Sequence, residues 1–258
     1  MLQNSFVLLD GIGPRRELSL WRSGISDWDS FLSTGRIRGI GGEQKGFLDA
    51  RLHIASERLR KKDSGFFATA MPRKEHWRLL REFGGSVAFL DIETTGISLN
   101  SPVTVVGIYD GSRMHHLVRG QNLNRENLCA MLSSVQSIVT FNGAGFDLPI
   151  IENQFPGSVP RVPHVDLRYP MKRLGYVGGL KRIERELGIE RDRRVEYMTG
   201  EDAVYLWRLW ERGGKVNALE LLLEYNAEDC RNLKRIASYA YRELRRRVFE
   251  GAVGRGKV

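Results

Sequence analysis

SVAFLDIETTG, residues 86–96, is an apolar run that closes on two acids one residue apart. Read as a buried strand, it throws residues i and i+2 to the same side, so Asp91 and Glu93 project together while Ile92 points into the opposite layer. Two carboxylates held that close repel, and each raises the pKa of the other unless a cation lies between them. Hard oxygen ligands on a rigid strand suit Mg²⁺ or Mn²⁺. A lone D-x-E is more often only a polar strand end, so the metal reading needs further carboxylates.

Working outward, PVTVVGIYD and RMHHLV read as two more strands, and the DGS between them marks a hairpin. A helix follows over Asn124–Leu132, then a strand at SIVTF, a turn at NGAG, a helix near Phe146–Asn153 and a short strand at RVPHVDL. GLKRIERELGI, EDAVYLWRLWERG and ALELLLEYNAEDCRNLKRIASYAYREL space their apolar residues at three and four, which predicts helices with one face on the sheet. Strands first and crossover helices after make this an α/β layer arrangement. Trp207 and Trp210 alternate with Leu206 and Leu209 and read as core, not as base-stacking platforms.

Two further segments carry acids. In FNGAGFDLPII, residues 141–151, Asp147 falls in the first turn of a helix, where the N-terminal dipole favours an anion whether or not it is catalytic. In YNAED, residues 225–229, Tyr225 and Asp229 stand four apart and share a helix face that must meet the strand ends if the helix packs on the sheet.

Together and in this order, DIETTG, NGAGFD and YNAED resemble the three motifs of the DEDD 3′→5′ exonucleases of the ribonuclease H-like superfamily. The tyrosine at position 225 is similar to the tyrosine subclass of that group. With HVDL, GGLKRIERELGI and PRKEHWRLL added, residues 70–243 most resemble its YprB-like branch. The resemblance implies a mixed sheet of three antiparallel strands followed by parallel strands, flanked by helices. It implies two divalent ions, Mg²⁺ or Mn²⁺, held by Asp91, Glu93, Asp147 and Asp229, with Tyr225 orienting the attacking water. Such a pair of ions serves in-line displacement at a phosphodiester. Ile92, Thr94 and Thr95 are expected to grip the terminal nucleotide, with Asn142 and Phe146 of the second motif also on the substrate. His164 and Asp166 are expected to support the site from behind.

The substrate implied is nucleic acid with a free 3′ end or single-stranded character, DNA in preference to RNA. A structure-selective endonuclease of the same superfamily and a catalytically silent nucleic-acid-binding module are the alternatives. Composition agrees with a polyanionic partner: 258 residues carry a formal charge of +9. Lys181, Arg182 and Arg185, followed by Arg191, Arg193 and Arg194, either track phosphates or form a solvated face paired with Glu184 and Glu186. Lys181 and Arg182 are taken as substrate-binding. The two cysteines, Cys129 and Cys230, form no zinc or disulfide pattern and read as buried thiols. No basic leader with an apolar run opens the sequence, and no stretch of about 18 apolar residues occurs, so a cytoplasmic protein without membrane contact is expected. Nothing in the sequence identifies a protein partner.

The first 84 residues differ in texture. LLDGIGPRRELSLWRSGI, within residues 1–35, resembles part of a helix-hairpin-helix element whose glycine turn, Gly11 and Gly13 with Arg15 and Arg16 beside it, would take a phosphate. Glu17 stands where that element has a small apolar residue. Residues 36–84 read as a basic helical connector, 85–245 as the nuclease domain and 246–258 as a flexible tail.

Overall fold

A computed structural model describes residues 1–254. Its five strands are β1 (Val87–Thr94), β2 (Val103–Tyr109), β3 (Met114–Val118), β4 (Ser137–Thr140) and β5 (His164–Asp166), in the spatial order β3-β2-β1-β4-β5. The first three are antiparallel, and β4 and β5 extend the sheet in parallel from β1. This is the expected mixed sheet. The helices are α1 (Pro14–Arg22), α2 (Trp28–Ser33), α3 (Gly42–Arg60), α4 (Ser64–Ala70), α5 (Arg125–Leu132), α6 (Asp147–Gln154), α7 (Arg168–Leu174), α8 (Leu180–Glu186), α9 (Gly200–Gly213) and α10 (Val216–Arg245). None of the described helices is long and apolar enough to cross a membrane.

The alternation along β1 sorts the layers. Ala88, Leu90 and Ile92 join Leu128 and Leu132 of α5 and Ile150 and Ile151 of α6 on one face. Val87 and Phe89 pack on the other face with Leu233 and Ile236 of α10. Asp91 and Glu93 continue that second face toward the strand end, as the period of two requires. The 30-residue α10 follows α9 after Gly214, whose φ of +59° ends α9 without a Cβ penalty. Each buried leucine or isoleucine under α10 contributes roughly 2 kcal/mol relative to exposure. Trp207 is buried in a third cluster with Val105, Leu222 and Tyr225, the core role expected of it. Cys230 is buried, but Cys129 is half-exposed on α5, whose outer face carries it toward solvent.

Residues 1–84 share a core with the sheet. Phe6, Trp28, Phe31, Leu48 and Phe67 are continuous with Val87, Phe89 and Val139. Ahead of the Gly11 turn, φ +77°, stands a three-residue 3₁₀ segment, Leu2–Asn4, with no leading helix. Gly13 caps α1, Arg15 is exposed, and the Arg16 guanidinium donates to the carbonyls of Gly11 and Gly39. Beyond Arg245 the helical path continues to Val253, and Phe249 meets Trp21 edge-on at 5.2 Å, so this part of the expected flexible tail is packed. Residues 255–258 of that tail lie outside the described residues.

Glu17 explains its own departure from the small apolar residue. It is 1% exposed and accepts from the Phe6 amide (2.7 Å), the Ser5 hydroxyl (3.1 Å) and Arg78 (2.9 Å). Arg78, equally buried, donates to Glu75 at 2.7 Å, and Glu75 accepts from Arg173 of α7 at 3.2 Å. The chain of ion pairs ties α1 to the sheet-bearing half. Glu17→Ala leaves Arg78 without part of its compensation in a dry core, and a loss of about 3 kcal/mol is expected. Urea unfolding measures it; an unshifted midpoint would remove the lock.

Candidate metal centre

The end of β1, the start of α6 and the middle of α10 supply the acids. Asp91, Glu93 and Asp229 each offer a carboxylate oxygen within 4.8 Å of the others. Asp147 stands outside this triad: it accepts from the Ile92 amide at 3.2 Å across the strand, and its negative charge still reaches Asp91. A bulge between Glu93 and Thr94 breaks the register with β2 just past the acids.

What lets α10 come this close is Gly107. It is the cross-strand partner of Asp91 on β2. A Cβ there would lie 1.8 Å from Asn226 Oδ1 and 2.9 Å from Cys230 Sγ, so the helix rests on bare backbone. Asn226, fully buried, donates to the Asp91 carbonyl (3.3 Å) and to Asp91 Oδ2 (3.0 Å), fixing that carboxylate's rotamer.

The electrostatics are those of a cation site. Burial and then the charges of Asp229, Asp147 and Glu93 push the Asp91 carboxyl well above the usual range. Glu93 is raised for the same reasons, burial first and Asp229 next. Burial lifts Asp147 to about 7 against two amide hydrogen bonds that favour its anion. Asp229 is raised by burial, although Arg191 opposes the rise. Tyr225, 7% exposed, is pushed up by burial and then by the carboxylates, so its phenol stays protonated at neutral pH. Asn226 Oδ1, buried and without a donor among the described residues, lies against Gly107 and not toward the acids. Hard oxygen donors that converge and repel one another fit a divalent ion.

A family model described as RNase_H superfamily matches residues 88–241, which include Asp91, Glu93, Asp147 and Asp229. The chain belongs to the RNase_H superfamily. No curated protein and no solved structure matches it. Nucleases of this superfamily act with divalent metals, and the acidic cluster Asp91, Glu93 and Asp229 of this chain is one that could hold an ion.

Around the cluster opens a cavity of about 910 Å³ lined by Asp91, Tyr225 and Asp229 and by the basic residues of α8 and the loop after it. Lys181 lies in that lining with its Nζ 4.5 Å above the Tyr225 ring, while Arg182 is exposed and paired with Glu186 at 2.8 Å. Ile92 and Thr94 are buried beside the acids, and Thr95 is half-buried, its amide on the Pro102 carbonyl. Phe146 precedes α6, half-buried against the α5–α6 core.

His164 and Asp166 do not bond each other; each serves a neighbour. Asp166 accepts from the amides of Asn142 (2.7 Å), Ala144 (3.0 Å) and Arg168 (3.1 Å), which shapes the turn that delivers Asp147. Asn142 is held there at φ +66°. His164 Nε2 meets the Thr140 hydroxyl at 2.8 Å, and burial drops its pKa to about 4, so it is neutral at physiological pH.

Two residues of the site, Gly107 and Asn226, escape sequence reasoning. Gly107 is a small residue in an apolar strand, and Asn226 shows no spacing signal of its own. Arg191 and Glu184 read as alternatives, phosphate contact or solvated face, and the structure has neither one solvated. The side chains of Glu184 and Arg191 are 2% and 4% exposed, paired through two bonds of 2.6 and 2.7 Å, and Arg191 also bonds Asp229.

Proposed function

We propose that this protein is a metal-dependent 3′→5′ exonuclease of the tyrosine type, hydrolysing phosphodiester bonds of DNA in preference to RNA. The observation that carries the reading is Tyr225 and Asp229, one turn apart on α10, meeting Asp91 of β1 in one open cavity, with Glu93 within carboxylate reach of Asp91 and Asp229. Asp91, Glu93 and Asp229 would hold one divalent ion, and Asp147 would join them in holding a second, Mg²⁺ or Mn²⁺. Divalent ions held there supply positive charge that offsets the carboxylates and the charge developing on the phosphate. Tyr225, still a phenol, orients water through its hydroxyl and does not remove a proton. Lys181 and Arg182 line the cavity and Asn142 lines the one beside it; with Ile92, Thr94, Thr95 and Phe146 they are assigned to the terminal nucleotides. Gly11, Gly13, Arg15 and Arg16 are assigned to an accessory phosphate contact, which deletion of residues 1–35 cannot test because they share the core; Arg15→Ala can.

The experiment is degradation of 5′-labelled linear and closed circular substrates, as DNA and as RNA, with Mg²⁺ or Mn²⁺. Stepwise shortening of linear DNA from the 3′ end is expected, with circles intact. Cut circles would replace the reading with an endonuclease, and no degradation of any substrate would leave a binding module. Tyr225→Phe is expected to slow turnover about 10²-fold while Mn²⁺ affinity holds; an unchanged rate would withdraw the role of the hydroxyl.

A further inference from the structure

The Arg191 guanidinium has more to do than to neutralise a buried acid. Its Nε and Nη2 grip both oxygens of Glu184, and Glu184 is fixed in turn by Asn232 Nδ2 at 3.0 Å. That platform needs nothing from Asp229, yet Nη2 reaches Asp229 as well. The remaining nitrogen, Nη1, is buried with no acceptor among the described residues, and so is Lys181 Nζ. Both cations flank the Tyr225 ring, at 6.0 and 4.5 Å, on the wall of the cavity that holds the acids. A buried charged donor without an acceptor is costly, and here two lie beside the same ring, where a group with several anionic oxygens would satisfy both.

We propose that Arg191 is an exchange residue, pairing with Asp229 when the centre holds no metal and passing to a phosphate of the substrate when a divalent cation takes that carboxylate. This rests on the nuclease reading. A carboxylate oxygen given to a guanidinium is withdrawn from a cation, so the two compete for Asp229. Glu184 keeps the guanidinium in place throughout, and the donors released from Asp229, with Nη1 and Lys181 Nζ, face the anion. The fork geometry of arginine suits two phosphate oxygens at once, which lysine cannot match.

Two measurements on the full chain test it: Mn²⁺ binding by electron paramagnetic resonance without nucleic acid, and the single-turnover rate on a DNA oligonucleotide. Arg191→Ala is expected to bind Mn²⁺ about tenfold more tightly and to cleave about 10²-fold more slowly. Arg191→Lys should fall between the two in both. A merely structural arginine would weaken both together, so the opposite signs are diagnostic. If Arg191→Ala does not fold, the paired variant E184Q with R191M, which removes both charges, is read in the same way. Unchanged or weaker Mn²⁺ binding, or an unchanged rate, overturns the proposal. A wild-type protein that binds Mn²⁺ and cleaves nothing overturns the nuclease reading instead.

Discussion

Asp91→Asn is expected to cost on the order of 10⁴-fold in metal-dependent turnover and, at pH 8 without metal, to make the protein more stable. The loss follows from taking the negative charge off one of three carboxylates whose oxygens converge within 4.8 Å. The gain follows from the charges that the metal-free fold must hold together. Asp91, Glu93, Asp147 and Asp229 all have folded-state pKa values above those of an unfolded chain, burial being the first cause in each. Between the unfolded value and the raised one the native protein binds more protons than the unfolded chain, so stability falls as pH rises. For Asp147 that window runs from about 4 to about 7. The metal-free wild type should therefore lose melting temperature from pH 5 to pH 8 more steeply than Asp91→Asn, and a divalent ion should restore more at pH 8 than at pH 5. Thermal unfolding in chelator and in Mn²⁺ reads both. Parallel pH curves for the two proteins would show that the acids do not strain the fold.

Gly107→Ala should damage stability and turnover together. The new methyl carbon would sit 1.8 Å from Asn226 Oδ1 and 2.9 Å from Cys230 Sγ, distances no packed core accepts. Both neighbours are on α10, so the relief available is retreat of the helix, at a cost of about 3 kcal/mol. Retreat carries Tyr225 and Asp229 away from Asp91, and displacement of about 1 Å is enough for a 10²-fold loss of rate. Weaker Mn²⁺ binding should accompany it, because Asp229 moves with the helix. Urea unfolding and single-turnover cleavage measure the two effects. A variant with native stability and rate would mean that α10 need not rest on the bare strand.

Much of this centre is legible in the sequence because its geometry is local. The two-residue period of a strand alone places Asp91 and Glu93 on one side and Ile92 on the other, and the layers sort that way. The four-residue spacing of a helix puts Tyr225 and Asp229 on one face, and the order of the three motifs makes them a set. The hairpin at Asp110–Ser112 and the helix beginning at Asp147 are equally local.

Other features depend on which segments meet. Asp147 turns to the Ile92 amide and stays outside the triad, since the position of a helix start relative to a strand is fixed by packing and not by spacing. Glu17 departs from its motif because Arg78, 61 residues away, is buried against it. A charged side chain in a sequence carries no mark of whether it will be solvated or paired.

Backbone period was enough to read the strands, the helices that follow them and the acids that face the same way along each, because side-chain direction follows from that period, whereas the mixed order of the sheet came only from resemblance. Only the tertiary structure decided how near α10 comes to β1, through the missing side chain of Gly107. It alone set Arg191 and Glu184 beside Asp229, because the free energy of a buried ion pair depends on a partner and on exclusion of water, and both are properties of the folded interior.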